Sequence, residues 1–200
     1  GWHTQALGKV FSGNERELDP PSWSASEILR KEGWPTYVLR SGGGRKKGAP
    51  LEKADVPDEG YADGKLASLA IETLAELNRQ SRPFFLAVGF FKPHLPFNAP
   101  KKYWDLYDPA TFAVEGQPKR TRGAPPVAYP DHLELGGYQG VPEDEDVSPE
   151  LARELRHGYY ACVSYVDAQI GRLLRALNTQ SLEDNTIVVL LGDHGYSLGE

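Results

Sequence analysis

Apolar runs alternate along this chain with amphipathic stretches and with long polar tracts rich in glycine and proline. The stretch Trp2–Phe11, containing TQALGKVF, reads as a strand leading into a loop. From Ser12 to Gly60 no hydrophobic period is sustained, which predicts long loops of the kind that often carry binding function. Leu66, Leu69, Ala70, Leu74 and Leu77 then recur at helical spacing, with Asp63 as N-cap, and predict an amphipathic helix to about Arg79. Phe84–Phe91 is a second apolar run of strand character, ending in Lys92-Pro93-His94-Leu95-Pro96, where the prolines turn the chain out of a sheet. Pro100–Val147 is again irregular. Ser148 as N-cap, Pro149 and Glu150 open a long helix to about Asn178, striped by Leu151, Leu155, Tyr159, Cys162, Val163, Val166, Ile170, Leu173, Leu174 and Leu177. Last comes Thr186–Leu191, an unbroken β-branched and aliphatic run that stops at Gly192. Such a run suits a strand buried on both faces.

Strand, helix and strand in alternation predict an α/β fold, a mostly parallel sheet with helices on both faces. Polar groups at the carboxyl ends of such strands stand where open α/β sheets place their ligands. Two clusters meet that description: Lys92 with His94, and Asp193 with His194. If both strands are parallel members of one sheet, the clusters emerge on one edge and suit an anionic substrate beside a divalent cation. Lysine and protonated imidazole donate to oxyanions, and a carboxylate holds metal. In the other reading, each histidine caps its own loop.

Composition narrows the classes. The 200 residues, 40% of them hydrophobic, can bury one substantial core. A net charge of -6 argues against nucleic acid as the main partner. The local basic patch Arg45-Lys46-Lys47 beside Gly42–Gly44 reads as a solvated loop. No stretch is long and apolar enough to span a bilayer, and Gly1-Trp2-His3-Thr4 has no signal-peptide character. The acidic run Glu143–Asp146 lacks the alternation and central glycine of an EF-hand. Cys162, the single cysteine, lies mid-helix and reads as a small buried hydrophobe. The chain contains no Met, which suits a fragment or a processed piece.

Several blocks together resemble a known family. They are Gly1-Trp2-His3-Thr4 through Gly8-Lys9-Val10-Phe11, Pro83–Gly89, Lys92–Phe97, Pro125–Tyr129, Ser164–Asp167 with Gly171–Leu174, and Asp193-His194-Gly195 through Leu198-Gly199-Glu200. Their order is that of the type I sulfatases, in particular the iduronate-2-sulfatase-like branch, and the resemblance is weakest across Asn14–Lys53. It implies an alkaline-phosphatase-like fold and hydrolysis of sulfate monoesters, on a sulfated sugar or glycosaminoglycan. The implied nucleophile is a formylglycine made within a C-x-P-S-R-type motif, and the implied cofactor is calcium. On matching positions Asp193 and His194 would be metal ligands, and imidazole is the less usual calcium partner. Lys9 would contact nucleophile or sulfate, and His94 would bind sulfate or protonate the leaving group; Lys92 joins them as a substrate-binding candidate from the strand-end pattern alone. Relatives work in lysosomes, periplasm or outside the cell.

The sequence also departs from that family. No C-x-P-S-R motif occurs, Cys162 has the wrong context for a nucleophile, and the paired aspartates that precede the motif are absent. Ser12 stands where iduronate-2-sulfatase-like sequences carry a histidine, and the second catalytic lysine would lie beyond Glu200. Residues 1–200 therefore read as an internal part of a single catalytic domain, with irregular loops at about 12–60 and 98–147. The alternatives are a phosphodiester or phosphonate hydrolase of the same superfamily and a non-catalytic carbohydrate-binding relative.

Overall fold

The computed structural model describes residues 1–11, 19–25, 37–39, 47–80, 82–113, 123–128, 134–142, 147–196 and 198. Ser12, residues 42–46 and the acidic run 143–146 lie outside the described residues. The elements that frame the fold are β1 (His3–Gly8), β2 (Leu51–Ala54), α1 (Ala62–Arg79), β3 (Phe84–Gly89), β4 (Phe97–Pro100), α2 (Lys101–Trp104) and α3 (Pro149–Thr179).

The expected parallel pairing is present, in two separate two-stranded sheets, β1-β3 and β2-β4. β1 and β3 run in register from His3 beside Phe84 to Gly8 beside Gly89, so their carboxyl ends coincide. Alternation along β3 sorts its side chains. Phe84, Leu86 and Val88 pack toward the helices, with Leu7 of β1, Leu66, Ala70 and Leu74 of α1, and Leu173 and Leu177 of α3. Phe85 faces the other way and takes the Trp23 ring, stacked at 6.2 Å.

β2 and β4 were not foreseen, because each is only four residues long and β4 ends in a proline. They lie under α3 in the larger core, where Phe97, Ala99, Trp104, Leu155, Ala161, Cys162 and Tyr165 are buried together. Cys162 is the small buried hydrophobe expected, its thiol pushed up to about 12 chiefly by burial. α3 begins as its sequence predicts, with Ser148 Oγ accepting from the Leu151 amide at 3.2 Å. The stripe along α3 is only partly inward: Val163 and Leu174 are exposed, while His157, Gly158 and Gln169 are buried. No described helix is long and apolar enough to cross a membrane.

The run Thr186–Leu191 departs most from expectation. It forms no ladder with any described strand, and its aliphatic side chains, expected to be covered on both faces, are 56% (Val188) to 92% (Ile187) exposed. A strand of that composition is stabilised by neighbours on both faces, and the described residues supply none.

Candidate active site at the carboxyl ends of β1 and β3

Two glycines let the strand ends approach. Gly8 has φ of 72°, a left-handed conformation that glycine adopts without strain, and the Lys9 amide donates to Gly89 O at 2.7 Å. A Cβ on Gly89 would lie 2.0 Å from Lys9 O, so only glycine fits. Lys9 therefore leaves β1 directly beside the turn that follows β3.

That turn, residues 90–96, is held from behind. Asp63 accepts from the Phe91 and Lys92 amides, both at 2.9 Å. The expectation of Asp63 as helix N-cap is thus corrected: Tyr61 occupies the cap position, and the Asp63 carboxylate is directed at the turn. Lys92 is likewise turned inward, its ammonium donating to His94 O at 3.1 Å and to Pro96 O. Through these two bonds it supports the His94 loop. Burial raises the Asp63 carboxyl and lowers the Lys92 ammonium, each effect acting against the group's own charge.

His94 sits at the tip of this turn with its ring partly covered. Its Nδ1 lies 2.9 Å from Leu95 O, a carbonyl that can only accept, so Nδ1 carries a proton. Nε2 then faces Oε2 of Glu134, 3.5 Å away. Burial pushes the imidazole below its ordinary pKa, as do the charges of Lys9 and Lys92, while Leu95 O and Glu134 act in the opposite sense. Glu134 opens the short helical turn Glu134–Gly137 and also accepts from Lys47 Nζ at 2.9 Å and from the Tyr196 hydroxyl at 3.4 Å. Burial raises its carboxyl, but the Lys47 and His94 partners outweigh burial and hold it below the usual range. Lys47, the described end of the basic patch, is thus engaged with Glu134, and it also lies over the Tyr138 ring at 5.0 Å.

Asp193 and His194 reach the same place without the strand that was expected to deliver them. The Tyr196 ring stands edge-on to His94 at 5.9 Å and to His194 at 6.3 Å, linking the two imidazoles. Asp193 Oδ1 accepts from the His194 amide at 3.0 Å, and its carboxylate is 79% exposed. Slight desolvation raises its pKa, but this backbone bond and the charges of His194 and Lys9 bring it below the ordinary value. The field of Lys9 thus acts on both His94 and Asp193.

Among the described residues, no group of three or more His, Cys, Asp or Glu side chains is placed to hold a metal ion. Calcium takes six to eight oxygen ligands. The exposed, readily ionised Asp193 carboxylate fits as one of them, and an imidazole such as His194 is a poor donor for that ion. These residues fit part of a calcium site and do not complete one.

Sequence reading missed Glu134, Lys47 and Tyr196 as parts of this cluster. Glu134 lies in the unpatterned tract HLELGG, and nothing in that tract marks it.

The sulfatase family profile matches residues 8–200. The chain belongs to the sulfatase family. Over the whole chain it is 34% identical to iduronate 2-sulfatase of Homo sapiens (219 aligned residues) and 34% identical to that of Mus musculus (225 aligned residues). In each case it spans 39% of the relative's length, about two-fifths of a sulfatase. The crystal structure of the phosphonate monoester hydrolase of Agrobacterium radiobacter is similar in fold, with a TM-score of 0.68. At 20% identity, covering 99% of this chain and 48% of that one, the likeness extends to the fold alone. The α/β, alkaline-phosphatase-like architecture expected from the sequence is therefore that of the sulfatase family.

Proposed function

We propose that the protein to which these residues belong hydrolyses sulfate monoesters, and that its substrate is a sulfated sugar. The observation that supports this reading is the meeting of Lys9, His94 and Asp193-His194 at the ends of β1 and β3, within a chain of the sulfatase family. The iduronate named in the human and mouse relatives favours the sugar.

A formylglycine and a calcium ion, implied by the family and not supplied by these residues, would provide the attacking hydroxyl and the charge that binds sulfate. The residues in hand would do the rest. Lys9 donates to the sulfuryl oxygens as charge develops on them. His94 is the acid: with Nδ1 engaged by Leu95 O, Nε2 is the nitrogen that carries a proton to the leaving oxygen. Asp193 offers a carboxylate oxygen to the metal, with His194 beside it. Asp63 and Lys92 hold the turn that aims His94. In domain terms, residues 1–200 form part of one catalytic domain.

Hydrolysis of a sulfated monosaccharide and of a phosphodiester, measured side by side on the full-length protein, tests the reading. Inorganic sulfate release well above phosphodiester cleavage is expected. Preference for the phosphodiester, or no sulfate release once formylglycine is confirmed in the protein, would sink it.

A further inference from the structure

Glu134 belongs to none of the motifs that mark the site, yet it meets three of its members. Its Oε1 accepts from Lys47 Nζ at 2.9 Å, while Oε2 faces His94 Nε2 at 3.5 Å and accepts from the Tyr196 hydroxyl at 3.4 Å. Lys47 is itself fixed, by a bridge pairing with Tyr138 and by the Tyr138 ring beneath its ammonium. The carboxylate is thereby aimed from a turn whose backbone also bonds to Lys47 itself: the Lys47 amide donates to Gly137 O at 3.0 Å. On the other side, Leu95 O takes the Nδ1 proton of His94. The imidazole is thus held at Nδ1 by Leu95 O and faced at Nε2 by Glu134, and Nε2 is the nitrogen left to exchange a proton with a substrate.

We propose that Glu134 is a positioning residue for the reaction, fixing the His94 ring and retaining a proton on its Nε2 until a leaving oxygen takes it. The proposal rests on the sulfatase reading for the identity of that oxygen. As the attacking hydroxyl that the sulfatase reading calls for would bond to sulfur, the bond from sulfur to the ester oxygen would break and the Nε2 proton would pass to that oxygen, which would leave as an alcohol. His94 remains neutral, with Nδ1–H still on Leu95 O, and is reprotonated from water. Among the described residues, charged and titratable groups around the ring include Glu134, Lys9 from the end of β1, Lys92 from the same turn, and Tyr196, with Lys47 behind Glu134 and His194 beyond Tyr196. Of these, Glu134 is the anion that opposes the two lysines. Tyr196, pushed up to about 12 mainly by burial, stays a neutral donor. Removing the Glu134 charge takes away the anion that faces Nε2 and makes His94 lose its proton at lower pH.

The test is Glu134→Gln in the full-length protein, which keeps the side chain's length and an acceptor for Lys47 and Tyr196. The alkaline limb of kcat/KM for the sulfated sugar should move to lower pH. On that limb the rate should fall about tenfold against wild type, with less than about threefold loss on the acid plateau. Equal loss at every pH, with the limb in place, would reduce Glu134 to a structural tie and overturn the proposal. The proton resonance of His94, identified by its absence in His94→Asn, gives a second readout that needs no turnover. Its titration should shift to lower pH in Glu134→Gln, and an unmoved titration overturns the proposal. If wild type releases no sulfate, the functional reading fails while the resonance still decides the pairing. Should Glu134→Gln not fold, Glu134→Asp retains the charge one methylene further back. It should show a smaller shift in the same direction, and an unmoved titration in that variant counts against the proposal equally.

Discussion

A methyl group on Gly89 would press against the carbonyl of Lys9 at 2.0 Å, and the backbone there has no flexible side chain to yield. Gly89→Ala is therefore expected to part the ends of β1 and β3 and to cost about 1–3 kcal/mol, read as a lower urea midpoint. An unchanged midpoint would mean that the strand ends separate freely and do not fix Lys9. The sequence offered Lys9 through the family-like block around it, and it offered His94 and Asp193-His194 through the apolar runs that precede them. It did not show that Lys92 turns inward, because a lysine next to a proline carries no mark of where its ammonium goes. Only the three-dimensional turn, with two carbonyls converging on that ammonium, settles its direction. Glu134 was hidden for a similar reason: its role comes from contacts with Lys47, His94 and Tyr196, residues far from it in sequence.

Among the elements, α1 and α3 form the clasp on which the site is mounted. The buried Tyr165 hydroxyl of α3 accepts from the Gly64 amide at 2.6 Å and donates to Asp58 O at 2.7 Å. Tyr165→Phe leaves both backbone groups without that partner. It is expected to destabilise the protein by about 1–3 kcal/mol, seen in denaturant unfolding, with little change in α-helical circular dichroism. No loss of stability would show that water or another donor replaces the hydroxyl. Asp58 adds a pH dependence. Burial raises its carboxyl, but hydrogen bonds from Lys102, Gln169 and Tyr103 outweigh burial and lower it in the folded state. A carboxyl with a depressed folded pKa contributes stability above the ordinary carboxylate range, and that stability is lost as pH falls through the folded value. Asp58→Asn should thus flatten the acid side of the stability curve, and an unchanged acid slope would contradict this role. Helix periodicity made α1 legible, and periodicity with the Ser148 cap made α3 legible, each to within a residue or two. β2 and β4 were not legible, being short and bordered by proline. The run Thr186–Leu191 read as a doubly buried strand because hydrophobicity reports what a segment needs covered, and among the described residues nothing covers it.

At the scale of the whole molecule, this chain spans about two-fifths of the sulfatases it resembles, 39% of the human relative, and carries one face of the catalytic centre proposed above. Lysine, imidazole and carboxylate meet there, and the nucleophile proposed for the reaction is not among these residues. The most direct test is sulfate release from a sulfated sugar by the full-length protein, compared with its His94→Ala variant. Wild type should accumulate inorganic sulfate, and His94→Ala should slow kcat by about 10²- to 10⁴-fold, the range of a general acid, while the protein remains folded. Absence of sulfate from the wild type, or equal release by the two proteins, would contradict the assignment of this site.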